Sequence, residues 1–224
     1  MNSALPCRSQ RIVSFAAGAL VMVLCAGGAS VRPDPVKIPR APEPDVVPKR
    51  WEFDAEFSPL YLTAVRTADK GVQAYFFMYY EVMNHSGEDV VFAPTFDLAT
   101  DEGHSIRAYR DVPNEVTKHI LGRLENPLLL DQIQVLGPLL QGEENAREGL
   151  VVWAAPDLEV DEIRVFATGF SGESETLDFP DPASGSARKV TFRKTRMMTF
   201  HTPGRIVPND AEPIRPIEAA WVMR

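Results

Sequence analysis

Chemistry in this chain would have to come mostly from carboxylates, because nucleophiles and metal ligands are sparse. There are four histidines, His85, His104, His119 and His201. None stands two or four residues from another, the spacing that sets two imidazoles on one metal ion, and no cysteine accompanies them. His85 and His104 fall in turn sequences, where exposed neutral imidazoles are expected. The nearest approach to a serine elbow is Gly169-Phe170-Ser171-Gly172. Its second glycine follows Ser171 at once, so nothing predicts the strained turn that would expose the hydroxyl over an oxyanion hole. The expected structure is a loop leaving a strand.

Aspartate and glutamate together number 31 in 224 residues, but they are scattered. Glycoside hydrolysis needs two carboxyl groups roughly 5–10 Å apart in a cleft. Glu81 alone follows an aromatic run, where burial beside Tyr79 and Tyr80 would raise its pKa. A cation on a neighbouring strand, or solvent at a sheet edge, is the simpler expectation for it. Asp101, Glu102, Asp178 and Asp181 are hard oxygen donors suited to calcium, yet no D-x-[DN]-x-[DN]-G loop holds them. Solvated acidic turns are expected instead.

The one basic island is 188–196, RKVTFRKTR. Its cations suit either an anionic envelope polymer or, as preferred here, the protection of an edge strand against aggregation. Strict alternation would place Lys194 and Arg196 on the face of Val190 and Phe192. A bulge near residue 194 is therefore expected, restoring the apolar face at Met198 and Phe200. The sequence assigns no catalytic residue, no cofactor-binding residue and no metal ligand, and it implies no cofactor.

The elements that would position any site begin after an export leader. Arg8 and Arg11 precede an apolar run from Ile12 to Leu24, and small residues follow from Ala26 to Ser30. The run is shorter than the ~20 apolar residues of a membrane span, and its flanks are those of a secretory signal cut between about Gly28 and Ser30. Both cysteines, Cys7 and Cys25, lie within it. Lipid attachment at Cys25 wants a small preceding residue, and Leu24 is bulky, so Cys25 is expected to leave with the leader. Losing Arg8 and Arg11 leaves about 21 basic against 31 acidic residues, a net charge of about −10. Such a surface repels nucleic acid and anionic lipid. No later stretch has the length and apolarity of a membrane helix.

Residues 31–50 carry six prolines and read as an extended, solvated spacer. Beyond it, period-two alternation predicts strands over 51–66, interrupted at Pro59, and over 72–83, 89–98, 106–109, 150–154, 162–170, 189–200 and 217–222. The 72–83 strand is apolar on both faces and should be a central strand covered on both sides, or have one face at a domain contact. Helical spacing of Val116, Ile120, Leu121 and Leu124 predicts a helix over 114–124, with Asn114 as its cap. A second short helix is expected within 128–140, broken at Gly137-Pro138, and a long hairpin or loop over 171–186. The expected core includes Trp51, Phe76, Phe92, Phe96, Trp153, Val165 and Phe192. The fold class is mainly β: an antiparallel sandwich over 51–224 with a short helical insertion near 114–140.

Two stretches resemble a family pattern. Residues 78–103, MYYEVMNHSGEDVVFAPTFDLATDEG, run strand, turn, strand, turn, and 142–170, GEENAREGLVVWAAPDLEVDEIRVFATGF, run strand, Pro turn, strand. Together they are similar to immunoglobulin-like sandwich domains of secreted bacterial proteins. The resemblance implies an adhesive, scaffolding or accessory role and transfers no catalytic residue. The functional expectation is an exported, non-enzymatic module of the periplasm or cell envelope, with an envelope protein or polymer as partner. A carboxylate-dependent carbohydrate-active hydrolase and a lipid-anchored envelope subunit are the alternatives. A deep cleft with two carboxylates would favour the enzyme.

Overall fold

Alternation of apolar residues along the chain is realised as two antiparallel-rich sheets sharing one core. The computed structural model describes residues 36–37, 50–155, 157–180, 187–209 and 211–224. The leader lies outside these residues, as does the spacer except at Val36, Lys37 and Arg50. The first sheet contains β1 (Val36–Lys37), β2 (Asp54–Phe57), β3 (Tyr61–Thr67) and β4 (Gly71–Met83). Next come β5 (Val90–Phe92), β6 (Thr95–Thr100), β7 (Ser105–Arg107) and the helix α1 (Asn114–Leu124). They are followed by β8 (Leu129–Leu130), β9 (Gly137–Leu139), β10 (Arg147–Ala154) and β11 (Glu162–Thr168). The last are β12 (Ser174–Pro180), β13 (Ala187–His201) and β14 (Pro216–Met223).

Strand β4 is the spine of the first sheet. It pairs with β10 along one edge and with β2 and β3 along the other; β1 extends the sheet beyond β2, and β8 extends it beyond β10. Pro59 breaks the partner strand as expected, and Ser58 repairs the ladder there. Its backbone N–H donates to Tyr79 O at 2.8 Å while its hydroxyl accepts the Tyr79 N–H at 2.9 Å. The second sheet runs β12–β13–β11–β6–β7, with β14 on the other edge of β13. Strands β5 and β9 form a separate pair.

Both faces of β4 are buried, and each belongs to a different core. Phe76, Met78, Tyr80 and Val82 point between the sheets, where they join Phe96, Leu98, Val165, Phe200 and Trp153. Tyr75 and Phe77 point the other way, under Val116 and Ile120 of α1. The helix starts at Pro113, whose fixed φ suits that place, and no side chain caps it; Asn114 is its first residue. It ends at Glu125 in the left-handed region.

Two expected elements need correction. The 128–140 segment holds no helix: it forms β8, a turn, and β9, whose Pro138 faces Val91 in the β5 pair. Two strands instead of one fill 89–98 and its neighbourhood, β5 and β6, separated at Ala93-Pro94. The 171–186 segment supplies the long hairpin expected there, with β12 pairing along β13 as a two-stranded ribbon. Trp51 and Phe192 are only half-buried, while the other five expected core residues are fully buried. Val36 and Lys37 pair with Phe57 and Glu56, so this part of the expected spacer is joined to the sheet.

Candidate functional site

Where β10 meets β7, the surface opens into a pocket of about 370 Å³. That is within the range of small-ligand sites. Ala93, Pro94, Phe96, Val135, Leu136 and Val151 give it an apolar wall. Its polar groups are those of Tyr80, Thr95, Arg107, Tyr109 and Gln132, so Arg107 brings the only formal charge in the lining.

Each wall is fixed by a local interaction. Tyr109 holds a left-handed backbone, φ 64°, which costs a non-glycine residue roughly 1–2 kcal/mol. In return its N–H donates to Val152 O at 2.8 Å and its hydroxyl donates to Leu150 O. The free edge of β10 is thereby closed, and the loop after β7 is held over it. The opposite wall is the turn at 131–136. Asp131 Oδ1 accepts the N–H groups of Ile133 and Gln134 at 2.8 and 2.9 Å. Arg147 clamps the same turn, donating to Val135 O at 2.8 Å and to Pro138 O. Arg107 is anchored through Nε to Asp97 at 3.3 Å.

The floor is Tyr80. Its ring packs edge-on against Phe92 and Phe170 and tilts over Phe96. Gly149 stands directly across the ladder, and a Cβ there would lie 2.5 Å from the Tyr80 hydroxyl. Only glycine leaves room for the phenol. Burial holds the phenol pKa well above its ordinary value, with Arg147 opposing weakly, so the group stays a protonated donor. This arrangement can bind and orient a small molecule. Its lining contains no carboxylate, serine, histidine or thiol to act on one.

A second polar cluster lies at the base of the β12–β13 ribbon. Lys194 Nζ reaches Glu52 at 3.0 Å and Glu173 at 2.9 Å, with its side chain 5% exposed. Glu52 is delivered there by a bridge to Ser171, flanked by the bonds Phe53 N–H to Phe170 O and Gly172 N–H to Trp51 O. Burial alone would lower the Lys194 ammonium, but hydrogen bonds to Glu173 and Glu52 outweigh it and raise the pKa. Arg196 lies beside it, pushed down to about 10 by burial, and still charged at neutral pH. Both cations lie over Trp221, at 5.3 and 5.2 Å from its ring. The bulge expected near 194 is absent; the ladder with β14 shifts register only between Thr199 and Phe200. Lys194 and Arg196 therefore stay on the inner face, and β13 is paired on both edges there instead of guarding an edge.

The remaining sequence candidates scatter. Glu81 is central, neither at an edge nor opposite a cation. Glu56 and Glu148 flank it in register on β2 and β10. Burial first, then the charges of Glu148 and Glu56, raise its pKa. His85 pairs with Asp54 at 2.8 Å, and His104, His119 and His201 are exposed and far apart in sequence. Ser171 is buried, and its hydroxyl accepts the Glu173 N–H at 3.2 Å. Asp178 faces Lys189 across the ribbon, Asp101 and Glu102 are exposed, and Asp181 lies outside the described residues. Among the described residues no three His, Cys, Asp or Glu side chains form a metal-holding group.

Sequence reasoning missed the cavity. Tyr80 reads as one aromatic among five in the run from Tyr75, and its pairing with Gly149 spans about seventy residues. A second hollow of about 470 Å³, near His201, Ile206, Glu212 and Arg215, has one carboxylate in its lining. No helix among the described residues is long and apolar enough to cross a membrane. No protein-family model, curated protein or solved structure matches the chain.

Proposed function

We propose that the chain is exported and serves in the periplasm or cell envelope as a non-enzymatic binding module, its scaffold an immunoglobulin-like sandwich. The observation that carries this reading is the pocket beside Tyr80, bounded by an apolar wall and lined by hydrogen-bond donors without any carboxylate. A hydrolase of the carboxylate type needs an acid and a second carboxylate facing one substrate. The acidic row Glu56, Glu81 and Glu148 lies on the other face of β4 from Tyr80. Export rests on the leader, with its arginines, short apolar run and small residues. The partner on this reading is an envelope protein or polymer that presents or stores the bound molecule. Lipidation at Cys25 would change where the module sits and leave the cavity as it is.

The test has two parts. The protein recovered from its native host should begin after the leader and fractionate with the periplasm or envelope. Exposed to an extract of small envelope molecules, it should release by denaturation the same molecule it captured, chemically unchanged. Recovery from the cytoplasm with the leader intact would remove the export reading. Conversion of the captured molecule would make the protein an enzyme.

A further inference from the structure

A polar group that borders a pocket and has no protein partner is available to a ligand. The Tyr80 ring is packed in the core, while its hydroxyl, which forms no hydrogen bond among the described residues, is at the pocket. The neighbouring phenol differs: Tyr109 spends its hydroxyl on Leu150 O. Gly149 gives the Tyr80 phenol its seat, so the position of that donor is built into the ladder. The second feature is Arg107. Asp97 takes its Nε, which leaves the terminal amino groups of the fork suited to a carboxylate. In a chain with a large acidic excess, the one charge lining this cavity is a cation.

Size and shape narrow the class further. At a water-sized volume of about 30 Å³ per unit, the cavity of about 370 Å³ holds on the order of a dozen non-hydrogen atoms. Walls made by Pro94, Phe96, Val135 and Leu136 favour an apolar body, and a rigid ring loses less freedom on binding than a chain. We propose that the cavity binds a small aryl carboxylate, its acid paired with Arg107 and a second oxygen accepting from the Tyr80 hydroxyl. This deepens the binding-module reading and rests on it.

The experiment titrates the mature chain with three probes, para-methoxybenzoate, benzoate and anisole, by calorimetry or ligand-observed NMR. The first carries both oxygen functions, and each of the others lacks one. Para-methoxybenzoate should bind saturably and about tenfold tighter than either, the worth of one added hydrogen bond. Tyr80→Phe should erase its advantage over benzoate while leaving benzoate unchanged. Arg107→Gln should erase its advantage over anisole. Leu136→Trp, at a half-exposed wall position where a larger ring is tolerated, should abolish binding of all three. Equal affinities for the three probes, or preferences that survive both substitutions, would overturn the aryl-carboxylate assignment while leaving a binding cavity. Binding that survives Leu136→Trp lies elsewhere and overturns it as well. If none of the three binds, the assignment falls, and capture of an unchanged envelope molecule still decides the module reading by itself.

Discussion

Two polar sites of the molecule are treated oppositely. At the ribbon base, Lys194 has two carboxylates within 3.0 Å and an aromatic ring beneath it. At the pocket, Tyr80 has its ring in the core and its hydroxyl without a protein partner among the described residues. Burial of polar atoms is therefore no guide to function by itself. A cluster that satisfies its own members locks structure, whereas a donor that folding leaves open in a roomy apolar pocket is available to something else. The contrast is incomplete at one atom: Trp221 Nε1 is buried and unpaired even though its ring serves both cations.

The largest effect should come from breaking the paired cluster. Lys194→Met removes the cation and leaves Glu52 and Glu173 facing each other in a buried site. Loss of one member of a buried ion pair costs about 3–5 kcal/mol. Urea unfolding of the mature domain should show a loss of that size with an unchanged slope. A loss below about 1 kcal/mol would mean that water reaches the cluster and that its burial is nominal.

Next is the seat of Tyr80. Gly149→Ala places a methyl group against the phenol, and the rigid ladder between β4 and β10 leaves little room to yield. Overpacking of this kind costs typically 1–3 kcal/mol. Combining it with Tyr80→Leu, which removes the ring, should recover part of the loss, a non-additivity that tests the contact directly. Additive losses would show that the methyl strains the backbone and not Tyr80.

How much of this was legible in the sequence depends on the distance over which each feature is determined. Strands β4, β10, β11, β13 and β14 and the helix α1 follow from local periodicity. The 128–140 segment misleads because leucines at 128, 129, 130, 136, 139 and 140 fit a helical stripe as well as short strands. Its fate is set by pairing with β5 and by the Arg147 clamp, neither of which is local. The basic island shows a different failure. The alternation through Val190, Phe192, Lys194 and Arg196 is the right pattern, but placing cations outside demands a bulge. Long side chains with carboxylate partners delivered from Glu52 and Glu173 stay inside without one. Gly149 and Tyr80 are ordinary residues until the ladder sets them opposite each other.

A smaller effect tests the acidic row on the other face of β4. The folded-state pKa of Glu81 is raised, by burial and by Glu148 and Glu56, so the folded form holds this proton more tightly than the unfolded chain. Below the ordinary carboxylate range both states are protonated and Glu81 contributes no difference. As pH rises through that range, folding has to give up a proton that it holds well, and stability declines. Glu81→Gln removes this decline. The variant should match the parent in acid and melt slightly higher at neutral pH. A variant no more stable than the parent at neutral pH would show that the three carboxylates do not burden one another.

The smallest expected change in stability belongs to the residue on which the binding site depends. Tyr80→Phe keeps the ring among Phe92, Phe96 and Phe170 and deletes only the hydroxyl. No internal hydrogen bond is lost, and a phenol that must be desolvated on folding is exchanged for an apolar edge. The change should lie within about 0.5 kcal/mol of zero, as for substitutions that disturb no packed or bonded feature. Tyr109→Phe supplies the reference, since the same chemical deletion there takes the donor from Leu150 O at the edge of β10. Leaving that buried acceptor unmet should cost about 1–3 kcal/mol. Denaturant midpoints of the two variants, measured side by side, separate the roles of the two phenols. If Tyr80→Phe proves as damaging as Tyr109→Phe, the Tyr80 hydroxyl has a structural partner, and the distinction between a locked cluster and an open site collapses at its central residue.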